Sequence, residues 1–309
     1  PIYNVLQHVT KKEINVKKME NIFRNFAPHL IEQLQGISNT LQIPYEEACA
    51  LFSGYDVPKT EAMGCTAFAT KDYYVRNYDF SPDLYDGIFL LSQTKKCFAT
   101  AGYTLQLLGL HDGVNEKGLT VGLHFVNNAL YNEGVSAWLA VRIVLDSCAT
   151  TEEAIKVLQQ LPHAACYNFS ISDSNGAMAI VEATPKNVQI HEGNPPLICV
   201  NHFQNEKMLH LNRKHIENSI QRKEHLLELS QRKWNQEMLF NYFRDPDSPL
   251  FFTDYKDLFG TLHTFSYNNQ DSRILTTIAN SDDVLNFKFN DWIAGENLKR
   301  DYLQGEIKE

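Results

Sequence analysis

The stretch that decides the fold is GCTAFATKDYYVRNYDF, residues 64–80. Two short runs rich in aromatic and β-branched residues, 65–70 and 73–80, flank a polar Lys-Asp pair, and this pattern predicts a β-hairpin. Gly64 ends a polar, turn-rich loop, and Cys65 opens the first predicted strand. A cysteine at such a junction is poorly placed for packing, so Cys65 is the first candidate for chemistry.

The residues before this hairpin have the pattern of helices. Apolar side chains recur at helical spacing from Ile22 to Ile37, and Pro28 divides that stretch. Pro44 suits the first turn of a further helix that runs to Phe52. We therefore expect a helical segment ahead of the first strand.

The residues after the hairpin alternate strands with a few helices. Strands are predicted within residues 86–94, 96–104, 118–128, 166–173, 177–185, 187–193, 196–203, 261–269, 272–280 and 284–289. Helices are predicted within residues 135–149, 150–161, 215–234 and 236–244. Hairpins with inserted helices favour an α+β layered architecture. The clearest seam is Gly64–Cys65, which divides a helical segment, 1–64, from the main domain, 65–309.

Composition limits the partners and the location of the protein. The chain has 309 residues, of which 43% are apolar, so it can bury a large core. Its net charge of −9 argues against nucleic acid or an anionic membrane as a partner. No apolar run approaches the roughly 20 residues that span a bilayer. The opening residues lack the apolar core of a signal peptide, so we expect a cytoplasmic protein.

The six cysteines form no CxxC pair and lie far apart in the sequence. This spacing is unlike a disulfide framework or a zinc site, so we expect reduced thiols and no metal. Cys65 differs because the preceding glycine leaves its peptide free to twist. Its thiol could attack the Gly64 carbonyl, and cleavage would release an α-amine with a reference pKa near 7.7–8.0. One residue would then supply both nucleophile and base; the alternative is a strand-start cysteine without a role.

Four motifs occur in the order seen in one enzyme superfamily. They are residues 64–80, HDGVNEKGLTVGLHF (111–125), SISDSNGAMAIVEATP (170–185) and VNHF (200–203). Together they resemble the choloylglycine hydrolase and penicillin V acylase group. The resemblance is greater to its acyl-CoA:6-aminopenicillanate acyltransferase branch, the C45-type cysteine peptidases. It implies a four-layer αββα N-terminal-nucleophile (Ntn) hydrolase sandwich with a helical pro-segment, cut at Gly64–Cys65.

The resemblance assigns roles to four residues. Cys65 matches the nucleophile, and Arg76 and Asp79 match a conserved pair beside it. Both lie at the end of the hairpin's second arm, so they can return alongside Cys65; a surface ion pair is the alternative. Asn201 matches an asparagine that stabilises the oxyanion, and its alternative role is to cap a strand end.

Further candidates rest on less specific matches. His124 stands where bile salt hydrolases have an asparagine and is a candidate oxyanion donor, with Asn127 as a weaker choice. Arg222 resembles a helix arginine of the family, although a solvated helix face would also explain it. His202 permits a papain-like Cys–His pairing with Cys65, although an α-amine makes an imidazole base unnecessary.

The resemblance implies cleavage of a linear, non-peptide amide through an acyl-enzyme. Either water or an amine takes the acyl group, and the substrate is a small acylated amine. No cofactor is needed, the pro-segment can stay bound after the cut, and a homo-oligomer is left open. The competing hypothesis is an unprocessed, non-catalytic binding or assembly protein. The enzymatic interpretation requires the sulfur of Cys65 to reach solvent.

Overall fold

The computed structural model describes residues 2–58, 64–127, 130–257 and 259–307. Most of the polar loop that precedes Gly64, residues 59–63, therefore lies outside the described residues. Among the described residues, no helix is long and apolar enough to cross a lipid bilayer.

The described helices are, in chain order, α1 (Ile2–Val9), α2 (Val16–Phe26), α3 (His29–Leu41), α4 (Tyr45–Phe52), α5 (Ala137–Ser147), α6 (Thr151–Gln160), α7 (Glu217–Leu229), α8 (Gln236–Arg244) and α9 (Phe289–Ile293). The predicted break at Pro28 is confirmed, because Pro28 stands between α2 and α3. Pro44 directly precedes α4, also as predicted.

The described strands are β1 (Gly64–Ala69), β2 (Tyr73–Phe80), β3 (Phe89–Ser92), β4 (Thr100–Leu105), β5 (Gly109–Asn115), β6 (Thr120–Asn127), β7 (Cys166–Ser172), β8 (Met178–Ala183), β9 (Val188–Glu192), β10 (Leu197–Cys199), β11 (Thr253–Asp254), β12 (Phe259–Asn268), β13 (Arg273–Ile278) and β14 (Leu285–Lys288). The predicted hairpin is β1–β2. Strand β5 was not predicted, because its His-Asp-Gly run lacks the apolar alternation of a strand.

The strands form two antiparallel sheets. Sheet A has the order β10-β1-β2-β12-β13-β14, with β11 paired to β12. Sheet B has the order β3-β4-β5-β6-β7-β8-β9. A chain whose consecutive strands mostly pair as neighbours builds such sheets from hairpins and meanders.

Buried side chains divide the molecule into four layers. Between the sheets, residues such as Tyr74 and Phe265 of sheet A pack with Val114 of sheet B. The outer face of sheet A packs on α7 and α8 through a cluster that includes Leu226 and Phe243. The outer face of sheet B packs on α5 and α6. The order helix, sheet, sheet, helix confirms the predicted αββα sandwich.

The helices before Cys65 share the core of the rest of the chain. Met19, Phe23 and Leu30 belong to the same buried cluster as residues of α5 and sheet B. His29 of α3 also bonds to Asp146 of α5, with 2.6 Å between Nε2 and Oδ2. The sequence divides at Gly64–Cys65, but the residues on the two sides of this division pack into one core.

Removing Phe23 should test how much this shared core contributes. Phe23 is fully buried, whereas Phe26 on the same helix is only half-buried. Phe23→Ala should lower the free energy of unfolding by about 3–5 kcal/mol, because it leaves a cavity. Phe26→Ala is the matched control and should cost clearly less. Urea denaturation of both variants in a Cys65→Ala background measures the difference, and equal losses would contradict the shared core.

Candidate active site

The β1–β2 pairing places the predicted site residues on the two faces of one hairpin. Cys65 lies opposite Tyr78, Ala67 lies opposite Arg76, and Gly64 lies opposite Asp79. Residues paired in this way point to the same face, and alternate residues point to opposite faces. The side chains of Cys65 and Arg76 therefore face sheet B, whereas Asp79 faces the helical layer of α7 and α8.

Arg76 is the buried cation beside the thiol. Its Nη2 lies 3.1 Å from Sγ of Cys65 and 2.5 Å from the carbonyl oxygen of Leu123. Its Nη1 donates to Oδ2 of Asp112 at 2.5 Å. Burial alone would lower the pKa of Arg76, but Cys65 and Asp112 outweigh it and raise that pKa. Arg76 therefore stays charged, and it favours a thiolate at Cys65.

Asp112 and His263 complete the support of Arg76, and neither was identified from the sequence. Oδ2 of Asp112 accepts from Nε2 of His263 at 2.9 Å as well as from Arg76. Burial opposes ionisation, but the interaction with His263 and the charge of Arg76 lower the pKa of Asp112 below its ordinary range. On its other side, Nδ1 of His263 lies 2.9 Å from the hydroxyl of Tyr85. Asp112 lies in the quoted HDG motif, which was the available signal.

Asn201 holds the backbone nitrogen of Cys65. Its Oδ1 accepts from that N–H at 2.8 Å and from Nη2 of Arg222 at 2.9 Å. Its Nδ2 donates to the carbonyl oxygen of Phe125 at 2.8 Å. Two donors at one end and an acceptor at the other fix the orientation of the amide. The oxygen of Asn201, rather than its NH₂ group, therefore faces the nitrogen of Cys65.

Arg222 is buried against β1 rather than solvated on a helix face. Its Nη1 donates to the carbonyl oxygen of Cys65 at 2.8 Å and to Oγ1 of Thr66 at 2.5 Å. Burial lowers the pKa of Arg222, but an arginine starts high enough to remain charged. The structure thus brings Arg222 to the candidate site.

Asp79 has one satisfied oxygen and one unsatisfied oxygen. Oδ1 accepts from Oγ1 of Thr261 at 2.7 Å, while Oδ2 has no hydrogen-bond partner among the described residues. Burial outweighs the opposing effects of Arg222 and Thr261 and raises the pKa of Asp79 to about 6. A Cβ added to Gly64 would lie 2.9 Å from Cβ of Asp79 and 2.5 Å from the ring of Phe259. Glycine is therefore required before Cys65, and Asp79 lies against that peptide.

The thiol itself is closed off in the continuous chain. Cys65 is fully buried, and burial raises the pKa of its thiol to about 11, with Arg76 opposing the rise and Asp79 adding to it. The expected opening to solvent is thus not seen while Gly64 remains attached. The physical reason is that the sulfur lies between the sheets, where Nη2 of Arg76 is 3.1 Å away and Cys65 belongs to the same buried cluster as Tyr78.

The remaining candidates from the sequence are His124, Asn127 and His202. His124 is buried, its Nε2 lies 2.9 Å from Oγ of Ser170, and burial holds its pKa well below the ordinary value. The side chain of Asn127 lies outside the described residues. Nδ1 of His202 lies 2.8 Å from Oγ of Ser219, and burial lowers the pKa of His202 to about 4. The observed partner of His202 is thus Ser219 and not Cys65.

One group of potential metal ligands lies away from this site. Within the described part of the chain, His29, Cys97 and Asp146 are close enough to surround an ion. However, Arg142 already donates to Asp146 at 2.7 Å. Although burial opposes it, Asp146 and Cys97 raise the pKa of His29 to about 9, so this imidazole is protonated at neutral pH. A protonated histidine is a poor ligand.

The pKa of Asp79 predicts a stability that depends on pH. A carboxyl whose pKa rises from 3.8 to about 6 on folding holds its proton more tightly when folded. Its destabilising effect therefore develops as pH rises from about 4 to 6 and is constant above. In a Cys65→Ala background, Asp79→Asn should gain stability over that range, by up to about 3 kcal/mol. Urea denaturation at several pH values measures this. Asp247→Asn, at an exposed carboxylate, is the control, and parallel curves for Asp79→Asn and its parent would contradict the assignment.

Comparison with known proteins places this chain in a family. Residues 68–283 match the family model described as acyl-coenzyme A:6-aminopenicillanic acid acyl-transferase. The match begins just after Cys65 and includes Arg76, Asp79, Asn201 and Arg222. A curated relative, penicillin V acylase of Pectobacterium atrosepticum, is 26% identical over 199 residues, 49% of this chain. The matched part spans about half of that relative, 52% of its length.

Solved structures give the fold. Penicillin V acylase from Agrobacterium tumefaciens superposes with a TM-score of 0.52 at 17% identity, over 74% of this chain and 86% of that one. A variant of conjugated bile acid hydrolase from Clostridium perfringens gives 0.49 at 13% identity, over 80% and 97%. The family match covers more than half of the chain, and the chain therefore belongs to the acyl-coenzyme A:6-aminopenicillanic acid acyl-transferase family, with the sandwich fold of the Ntn hydrolases.

Proposed function

We propose that this protein is a self-processing cysteine Ntn enzyme that cleaves a linear amide of a small acylated amine. The chain would be cut between Gly64 and Cys65, and the acyl group would pass through a thioester on Cys65 to water or to an amine. Family membership supports the reaction class. The penicillin V acylase name of its relatives supports an acylated amine as the substrate class.

The observation that carries the proposal is the set of buried hydrogen-bond partners around Cys65. Each of its polar atoms has a buried partner: Asn201 at the nitrogen, Arg222 at the carbonyl oxygen and Arg76 at the sulfur. Two buried guanidinium groups around one thiol are costly to desolvate. A cysteine that only packed would not need them.

The first reaction in the proposal is cleavage of the Gly64 peptide. The thiolate of Cys65 adds to the Gly64 carbonyl, the C–N bond breaks, and the nitrogen of Cys65 takes up a proton. Water then hydrolyses the resulting thioester, which returns the thiol and leaves a carboxylate on Gly64. The oxygen of Asn201 already accepts from this nitrogen, and the unpartnered Oδ2 of Asp79 can accept from the new ammonium group.

The second reaction in the proposal is turnover. The free α-amine takes the proton of the thiol, and the thiolate beside Arg76 attacks the substrate carbonyl. The second N–H of the Asn201 amide, together with a backbone N–H, would stabilise the oxyanion. The amine product leaves with the proton from the α-ammonium, and water or an acceptor amine then attacks the thioester. This chemistry uses only atoms of the chain and its substrates.

Unsatisfied polar atoms also support a binding role for this region. Among the described residues, Nε of Arg76, Oδ2 of Asp79 and Oδ1 of Asp112 are buried without a partner. Each buried polar group without a partner lowers the stability of the folded protein by about 1–3 kcal/mol. Unpaired buried groups beside a thiol are the kind of feature that a catalytic role explains.

The segment before the cut would stay bound in this proposal. His29 and Asp146 form a buried ion pair across the division, and the backbone N–H of Asp56 donates to the carbonyl oxygen of Gly134 at 2.7 Å. With the shared apolar core, these contacts favour a mature enzyme of two associated chains.

Analysis of the purified chain should test cleavage directly. The wild-type protein should separate into residues 1–64 and 65–309, and sequencing of the second chain should begin Cys65-Thr66. Cys65→Ala should remain one chain and release no amine from acylated amines, while Cys65→Ser should slow both steps. Cys148→Ala, at a buried cysteine away from the site, is the control and should be cut normally. A continuous wild-type chain that turns over substrate would overturn the mechanism.

The complete burial of Cys65 favours a second candidate function. An unprocessed chain with a closed thiol would act as a binding or assembly protein. It would remain a single chain, and iodoacetamide would not label Cys65 in the folded protein. The same purified sample therefore distinguishes the two functions.

Paired alanine variants should separate the proposed base from a papain-like one. Asn201→Ala should lower kcat/KM by about 10²–10³, because it removes an oxyanion donor and the partner of the α-amine. His202→Ala should lower it only slightly, since His202 bonds to Ser219. The measurement is steady-state kinetics on cleaved protein with one acylated amine. A larger loss in His202→Ala than in Asn201→Ala would favour a Cys–His mechanism.

A further inference from the structure

Asn168 is a buried asparagine that contacts the chain on both sides of Asn201. It lies on β7 and is fully buried. Its Nδ2 donates to the carbonyl oxygen of Val200 at 3.1 Å and to that of His202 at 2.9 Å. The residue between these two carbonyls is Asn201, whose Oδ1 accepts from the nitrogen of Cys65. Asn168 thus binds the backbone that carries a proposed catalytic side chain.

The orientation of the Asn168 amide follows from its partners. Both partners are carbonyl oxygens, which only accept hydrogen bonds, so the NH₂ group must face them. The amide oxygen is then left buried and without a partner among the described residues. An unpaired buried oxygen lowers stability, and a group of this kind calls for an explanation. The two bonds to the segment around Asn201 are the feature that Asn168 supplies in return.

The neighbouring strand of sheet B binds the same segment. Asn168 is the cross-strand partner of Glu182 on β8, which is also fully buried. Oε1 of Glu182 accepts from the backbone N–H of Gln204 at 2.6 Å, and Oε2 accepts from that of Asn205 at 3.2 Å. Sheet B therefore holds the backbone of residues 200–205 at both ends of the segment.

The peptide group between Val200 and Asn201 is held at its two ends by different layers. Asn168 of sheet B donates to its carbonyl oxygen, and its N–H donates to Oγ of Ser219 on α7 at 2.9 Å. A peptide group is planar, so two contacts at opposite ends fix the direction of the plane. The direction of this plane sets where the side chain of Asn201 leaves the backbone.

We propose that Asn168 is a positioning residue, which holds Asn201 so that its amide meets the nitrogen of Cys65 and the oxyanion. This inference rests on the proposed function. Asn168 acts through Asn201 and not on the substrate. A displacement of about 1 Å in a catalytic group can lower a rate by about 100-fold, so loss of the two bonds should be visible in turnover.

A double-mutant cycle tests this role. Asn168→Ala, Asn201→Ala and the double variant are assayed with one acylated amine, and rates are expressed per cleaved chain. Asn168→Ala alone should lower kcat by about 10- to 100-fold and change KM by less than about 3-fold, because the amide of Asn201 acts in the transition state. In the Asn201→Ala background the same change should lower kcat by less than about 3-fold, because the residue that it positions is gone. Equal factors in the two backgrounds would overturn the proposal.

Asn115 provides a matched control. It is fully buried, and its Nδ2 also donates to two backbone carbonyls, those of Leu145 at 2.9 Å and Cys148 at 2.7 Å. These contacts lie at the end of α5 and do not involve Asn201. Asn115→Ala should lower Tm much as Asn168→Ala does, but should change kcat by less than about 3-fold. An equal loss of kcat in the two variants would mean a general effect of lost stability and would contradict the positioning role.

Two further measurements keep the test decisive. Asn168→Ser retains one O–H donor, so it should fold even if Asn168→Ala does not, and its smaller loss of kcat should also disappear in the Asn201→Ala background. The rate of cleavage at Gly64–Cys65, followed by intact mass in the same proteins, repeats the comparison for the first reaction. A loss from Asn168→Ser that persists without Asn201 would overturn the positioning role and leave the proposed function intact. Wild-type protein that is neither cleaved nor active on acylated amines would overturn the proposed function itself.

Discussion

The structure depends on one buried charge, the guanidinium group of Arg76. It lies between two sheets, fully buried, and such a charge is tolerated only with compensating partners. Asp112 supplies the opposite charge at 2.5 Å, and the carbonyl of Leu123 and the sulfur of Cys65 take further N–H groups. Arg76 therefore fixes the spacing of β2 against β5 and β6. The same contacts place a cation beside the candidate nucleophile.

A second arginine, Arg222, contacts Cys65 from the side of β1 opposite to Arg76. Arg222 reaches from α7 to the carbonyl oxygen of Cys65 and to the amide oxygen of Asn201. Cys65 is thus held through its sulfur by Arg76 of the neighbouring strand β2 and through its backbone by Arg222 of the helical layer. In the proposed mechanism, the backbone nitrogen becomes a base, so its position matters as much as that of the sulfur. Residues on regular strands and helices hold such geometry more accurately than loops do.

Most of the fold and part of the site could be predicted from the sequence. The hairpin at 64–80 follows from composition and turn residues, and its register alone brings Arg76 and Asp79 back to Cys65. Asp112 and His263 could not be found in this way, because β-bulges orient both strands that carry them. An alternating pattern predicts that residues two apart share a face, and a β-bulge breaks this alternation.

The bulge in β12 illustrates this limit. Thr261 pairs with Asp79, but His263 pairs with Tyr78, so Leu262 is the extra residue. Thr261 can therefore bond to Asp79 on the outer face while His263 bonds to Asp112 on the inner face. Without the bulge, both side chains would lie on one face and one of the two carboxylates would lose its partner. The polar networks on the two faces of the β1–β2 hairpin thus depend on a β-bulge, which the alternating sequence pattern of a strand does not predict.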